Sequence, residues 1–306
     1  MRKVIFAMAL AVVTAAALAA LGAAATSSSG PSSAAANLRQ AKAKLPPLPA
    51  EVKARKRWII GVKCDAPPFG YIDVKGRNAG VDVEIAKWFS RFAFGREDRV
   101  SFTCAPTPTR EPLLTNDRAD LVIATFTYTP DRDTRIDFSR AYYKATGRML
   151  VPNNSSISSV ADLNGKAVAT TSGSIYDRWV RKCFTGAKLS VFDNFTNARL
   201  AFEQGRADTL MFDDTVLLGI ATADPRYKLA PDSFLALPYG IGIKQGNVAM
   251  KKWVDSRLEI MRKRDQFVKI LKNNVANRFI PIFSKNVLRP KQNFGYTSGD
   301  PSAVCP

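Results

Sequence analysis

The chain contains no histidine. That absence removes the commonest general base near neutral pH, the usual partner of serine and cysteine nucleophiles, and a frequent zinc ligand. Cysteine is scarce too: Cys64, Cys104, Cys183 and Cys305 show no C-x-x-C spacing, which argues against a metal cluster or a thioredoxin-like redox motif. Neither a Walker-type phosphate loop nor a G-x-G-x-x-G turn occurs, so the nucleotide-binding fingerprints are missing. Acidic residues are outnumbered, 26 against 45 lysines and arginines, giving a formal net charge of +19 over 306 residues. Such an excess attracts anions, whether nucleic acid, an acidic surface or a small acidic ligand. The basic residues are scattered and form no aromatic-interleaved stripe, so nucleic-acid binding is unmotivated. After the N-terminal segment no stretch is apolar enough to span a bilayer.

The N-terminal segment reads as a targeting device. Arg2 and Lys3 precede an alanine-rich apolar run from Val4 to about Leu21, and Ala23-Ala24-Ala25 supplies small residues for a signal peptidase, with Thr26 as first mature residue. An uncleaved anchor is the competing reading, disfavoured by the weak hydrophobicity of alanine. Residues 1–25 are thus expected to be a signal peptide and the protein to be exported. Since the first cysteine is Cys64, no lipid anchor is expected. In an exported protein an even cysteine count suggests disulfides.

Residues 26–57, small and polar and then proline-rich and basic, read as a linker, with folding expected to start near Trp58. From there the pattern alternates. "RWIIGVKC", "RVSFTC" and "ADLVIATF" read as strands around the helical "VDVEIAKWFSRFAF" and the short helix "REPLLTND". "KAVATT", "KLSVFD" and "ADTLMFDD" repeat the alternation with the helices "SIYDRWVRKCF" and "NARLAFEQG". "PYGIGI" and a long basic helical region over about 248–280 follow. Two α/β lobes are the simplest arrangement, with ligand off the carboxyl ends of the strands. Polar residues gather at those ends: Lys63, Thr125, Thr127, Thr171, Ser172 and Asp213.

Five stretches in order resemble the bacterial extracellular solute-binding proteins of family 3, the amino-acid receptors of ABC importers. They are "GVKCDAPPFGYIDVKGRNAGVDVEIAKWFS", "DLVIATFTYTPDRDTRIDFSRAYY", "SVADLNGKAVATTSGS", "QGRADTLMFDDTVLLG" and "PDSFLALPYGIGIK", over about residues 58–275. "GVK", "ATFTYTPDR" and "LPYGI" are most similar to aspartate/glutamate-binding members. The basic linker, the cysteines and the C-terminal extension depart from the family pattern. The resemblance implies a two-lobed periplasmic-binding-protein (type II) fold with a hinge: lobe 1 over 58–150 and 239–285, lobe 2 over 151–238, and an extension over 286–306.

It also implies roles. Thr125 and Thr127 would offer donors to the ligand, and Arg132 in the "TPDR" turn would clamp its α-carboxylate, a match of planar fork to carboxylate. Asp213 would hold the α-ammonium, with Asp214 as runner-up and as the cap of the helix after it. Thr171, Ser172 and Ser174 would add donors from lobe 2, Phe69 and Phe126 an apolar wall, and Tyr239 a further contact. Lys63 and Arg110 would bind a distal carboxylate; relatives that take basic amino acids carry a carboxylate at the place of Lys63. The expected ligand is therefore L-glutamate or L-aspartate, delivered to a membrane permease by a monomer without cofactor, metal or catalytic residues, in the periplasm or cell envelope. A sensor or adhesin keeping the same lobes, or a dehydratase-like enzyme, are the alternatives. Cys64 and Cys104 end strands that should be neighbours in lobe 1, leaving Cys183 for Cys305.

Overall fold

The computed structural model describes residues 45–296 and 299–306, so the signal-peptide expectation and most of the linker lie outside the described residues. Order begins earlier than composition suggested. Helix α1, Ala50–Arg55, buries Val52 completely, and Leu48 packs against the same core. One apolar side chain per turn suffices to dock a segment whose other residues are charged.

Lobe 1 follows the expected alternation. Strand β1 is Trp58–Val62, followed by a small three-stranded sheet of β2 Asp65–Ala66, β3 Gly70–Ile72 and β4 Asn78–Ala79. Helix α2, Val81–Phe94, buries Val81, Val83, Ile85, Ala86 and Phe89 on one face, and Gly95 ends it in the left-handed conformation. Then come β5 Val100–Cys104, α3 Arg110–Thr115, β6 Leu121–Ile123, the single turn α4 Pro130–Asp133 and β7 Ile136–Phe138.

Lobe 2 is built from β8 Tyr143–Pro152, β9 Ala167–Thr171, α5 Ile175–Cys183, β10 Lys188–Phe192, α6 Phe195–Glu203, β11 Thr209–Asp213, α7 Asp214–Ala223, β12 Tyr227–Leu229 and β13 Phe234–Tyr239. The chain returns to lobe 1 with β14 Gly242–Lys244 and the helices α8 Val248–Lys263, α9 Gln266–Asn274 and α10 Ile280–Phe283. The long basic helical region expected over about 248–280 consists of these helices, with Asp265 in the left-handed region (φ 51°) between α8 and α9.

The lobe 1 sheet has the order β5-β1-β6-β14-β7, with β1 parallel to β5 and β6 and β14 antiparallel to its neighbours. The lobe 2 sheet runs β10-β9-β11-β8-β12, with β13 also on β8. All of β8 belongs to this second sheet, so the first crossing falls near residue 142 and not near 150. Tyr143 and Tyr239 pair where β8 and β13 pass between the lobes.

Both disulfides join the expected partners, Cys64 with Cys104 and Cys183 with Cys305. The first has a simple origin, since β1 and β5 are parallel neighbours in register with Val62 beside Cys104. The second fastens the C-terminal extension to α5, where Trp179 Nε1 and Lys182 Nζ also donate to the carbonyls of Val304 and Ala303.

Candidate ligand-binding site

Lobe 1 contributes the cations. Strand β6 ends early because Thr125 turns into the left-handed region (φ 44°), an uncommon conformation for a β-branched residue. A hydrogen bond holds it there: the Thr125 N–H donates to the carboxylate of fully buried Asp82, in the first turn of α2, at 2.9 Å. Thr127 then forms an isolated bridge with Tyr239. Thr129 caps α4 by accepting the Arg132 N–H at 3.1 Å, with Pro130 at the favoured first position. This tight turn folds the Arg132 side chain back, so that Nη1 donates to the Thr127 carbonyl at 2.8 Å and Nη2 to the Gly173 carbonyl of lobe 2 at 2.9 Å. Glu111 lies 3.3 Å from its Nε.

Arg110 opens α3, and its Nη1 donates to the carbonyls of Ala124 and Thr125 at 3.2 and 3.0 Å while Nε donates to that of Thr107 at 3.2 Å. These bonds fix the guanidinium and leave Nη2 with no protein acceptor among the described residues. The Phe126 ring lies under both arginines, 4.5 Å from the Arg110 guanidinium carbon and 5.2 Å from that of Arg132.

Lobe 2 contributes the carboxylate. Asp213 ends β11, and its two oxygens accept from the hydroxyls of Tyr176 and Tyr239. Although its backbone occupies the N-cap position of α7, its side chain caps nothing. Asp214 stands one position inside the expected cap, yet its Oδ1 accepts the first-turn N–H of Thr215 at 2.8 Å. It is the first residue of α7, and its carboxylate ties the helix to β8 through Thr146 N and Oγ1 at 3.2 and 3.1 Å. Ser174 caps α5, accepting from Asp177 N at 3.1 Å.

Thr107, Arg110, Thr125, Thr127, Arg132, Ser174, Ile175, Tyr176, Phe212 and Asp213 enclose one cavity between the lobes. Its volume of about 20 Å³ is little more than a single water needs, so an amino acid enters only as the lobes part and side chains shift. Burial raises the Asp213 carboxyl above the ordinary range, opposed by the two tyrosines and then by Arg110 and Lys63. Burial pulls Arg132 down to about 9, helped by Arg110 and Arg178, so it is charged at neutral pH. Arg110 is lowered by the same burial, with Asp213 opposing. These cations are costly to bury, and an anion would relieve them.

Of the expected residues, Arg110, Thr125, Thr127, Arg132, Ser174 and Asp213 meet at the cavity. Six do not line it. Lys63 is fully buried beside it and donates to Thr107 Oγ1 at 3.2 Å, and Thr171 reaches the same hydroxyl at 3.3 Å. Tyr239 acts through Asp213. Phe126 supports the arginines, where an apolar wall was expected, and Phe69 packs edge-on against Tyr143 and Tyr239 in the core. The Ser172 N–H is used by the Phe192 carbonyl at 2.8 Å. Sequence reasoning missed Thr107, Ile175, Tyr176 and Phe212. Only Thr107 carried a signal, a lone hydroxyl between Pro106 and Pro108 just before Arg110. No group of residues able to hold a metal ion occurs among the described residues.

Comparison with known proteins agrees with this architecture. The description of the bacterial extracellular solute-binding proteins, family 3, matches residues 58–276. The ABC transporter glutamine-binding protein GlnH of Bacillus subtilis is 32% identical over 225 residues, 73% of this chain and 82% of that relative. A glutamine-binding protein of Geobacillus stearothermophilus is 35% identical over 194 residues, 63% of this chain and 74% of that one. Among solved structures, the L-cysteine solute receptor of Neisseria gonorrhoeae superposes with a TM-score of 0.73 at 29% identity, covering 77% of this chain and 95% of its own.

Proposed function

The chain belongs to the bacterial extracellular solute-binding proteins, family 3, and we propose that it binds L-glutamate or L-aspartate between its lobes and presents it to a membrane permease. One observation carries this reading: two arginines and one aspartate face a single cavity. An acidic amino acid is the inverse of that set, with two carboxylates and one ammonium. Arg132 would take the α-carboxylate and Asp213 the α-ammonium, while the free Nη2 of Arg110 would take the distal carboxylate. Thr125, Thr127 and Ser174 would complete the α-carboxylate's hydrogen bonds. The two clamping groups stand on opposite lobes, so a bound ligand favours the closed form by its contacts with both, and closure is what a permease can read.

Glutamine is the second reading, favoured by the pairing of Lys63 with Asp65 at 3.2 Å, which offsets one of the cations assigned to the distal carboxylate. The glutamine-binding relatives point the same way. Calorimetry on ligand-stripped protein with glutamate, aspartate, glutamine and arginine separates the two. Glutamate or aspartate should bind at least about tenfold more tightly than glutamine, since a neutral amide leaves Arg110 without an anion. Tighter binding of glutamine would reject the acidic reading, and tighter binding of arginine would reject both.

A further inference from the structure

Asp65 stands two residues past Lys63 and does not line the cavity. Its Oδ1 lies 3.2 Å from Lys63 Nζ, whose side chain is completely buried. Its Oδ2 accepts, at 2.8 Å, the N–H of Phe195, the first residue of α6 in the other lobe. One carboxylate is therefore shared between a buried cation of lobe 1 and the backbone of lobe 2. Lys63 in turn donates to Thr107 Oγ1 at 3.2 Å, and Thr107 lines the cavity. The charge of Lys63 sits one hydroxyl away from where a ligand would lie.

Resting on the reading that the cleft takes an acidic amino acid, we infer that Asp65 is the specificity-setting residue of this site, fixing how much of the Lys63 charge reaches the ligand and linking that amount to lobe closure. In the open form the Phe195 N–H is withdrawn and Asp65 has Lys63 as its counter-ion. On closure the carboxylate is divided between Lys63 and Phe195, and Lys63 is left less fully compensated just as the ligand's distal group is enclosed. A dicarboxylate gains from that release and an amide does not. Burial holds the Lys63 ammonium below its ordinary value, and Arg110 adds to this, while Asp65 and more weakly Asp213 oppose it.

Asp65→Asn tests the inference because it keeps an oxygen for Phe195 N and removes the charge. Calorimetry with L-glutamate and L-glutamine gives the two affinities. The glutamate-to-glutamine affinity ratio should rise about tenfold over the parent, because the Lys63 charge is no longer offset. Asp65→Ala, which also loses the acceptor for Phe195, should weaken both ligands. An unchanged ratio in Asp65→Asn overturns the inference. Should that variant fail to fold, Lys63→Met/Asp65→Asn removes the pair as a neutral unit. Its ratio should fall below the parent's, and an unchanged ratio would show that the Lys63 charge never reaches the ligand. A parent that prefers glutamine overturns the acidic reading without touching this inference, which is judged by the change between parent and variant.

Discussion

Tyr296 lies flat on Tyr128, with ring centroids 4.0 Å apart and planes 12° from parallel. Tyr128 stands between Thr127 and Thr129 in the loop that aims Arg132, and the Tyr296 hydroxyl donates to the Ser139 carbonyl, also in lobe 1. The tail beyond it ends on lobe 2, where Cys305 is bonded to Cys183 at the end of the helix that Ser174 caps. The C-terminal extension therefore touches both lobes.

Cutting that tie should be felt in stability. Cys183→Ser/Cys305→Ser opens a bridge between residues 122 apart in sequence, and a loss of about 2 to 4 kcal/mol is expected in urea unfolding. Trypsin should then cut the released tail at Lys291 while the lobes stay intact. A tail that remains protected would show that Tyr296 and the Trp179 hydrogen bond hold it without the disulfide.

Arg132→Ala and Asp213→Asn should each abolish tight binding while preserving the fold. Either change leaves an opposite ligand charge enclosed and unpaired, at a cost of about 3 to 5 kcal/mol, more than a hundredfold in affinity. Near-parental affinity in calorimetry, with unaltered circular dichroism, would remove the residue from the clamp.

The two tyrosines on Asp213 offer a milder test. Tyr239→Phe deletes one of two charge-directed hydrogen bonds that orient the carboxylate, and its hydroxyl also meets Thr215 Oγ1 at 3.1 Å. Affinity should fall by about tenfold, the scale of one hydrogen bond to a charged group. Tyr176→Phe should act similarly, and the pair together more than additively, because Asp213 would then be buried without a donor.

Asp82 makes stability depend on pH. Burial raises its carboxyl from 3.8 to about 7, against the opposing hydrogen bonds from Tyr142 and Thr125. The folded protein thus holds a proton that the unfolded chain releases between about pH 4 and 7, so this contribution is complete at low pH and is lost as pH rises towards 7. Asp214, raised to about 6, acts in the same direction over a narrower window. Melting temperatures from pH 5 to 8 should therefore decline less steeply in Asp82→Asn than in the parent. Equal slopes would mean that Asp82 stays ionised in the folded protein.

The sequence by itself determined the alternation of strands and helices, because hydrophobic periodicity reports which face of a segment must be buried. Helix α2 and the strands β1, β5 and β9 lie where their apolar residues put them. It also showed part of the chemistry available to the cleft: Asp213 stood out as a polar residue at a strand end, whereas Arg110 and Arg132 were picked out through the family resemblance, since an arginine in the charged turn "PDRDTR" otherwise reads as a solvated side chain. What only the tertiary structure decided is which of those groups face one another. Lys63 and Arg110 read alike as free cations, yet Asp65 folds onto Lys63 and none of the described carboxylates folds onto Arg110. Phe69 and Phe126 were equally apolar, but one became core and the other a bed for two guanidiniums. Tyr176 gave no signal because its partner lies 37 residues away on another strand. Such pairings depend on sheet order, on the left-handed turn at Thr125 and on where lobe 2 meets lobe 1. They are set by contacts distant in sequence, which no local pattern encodes.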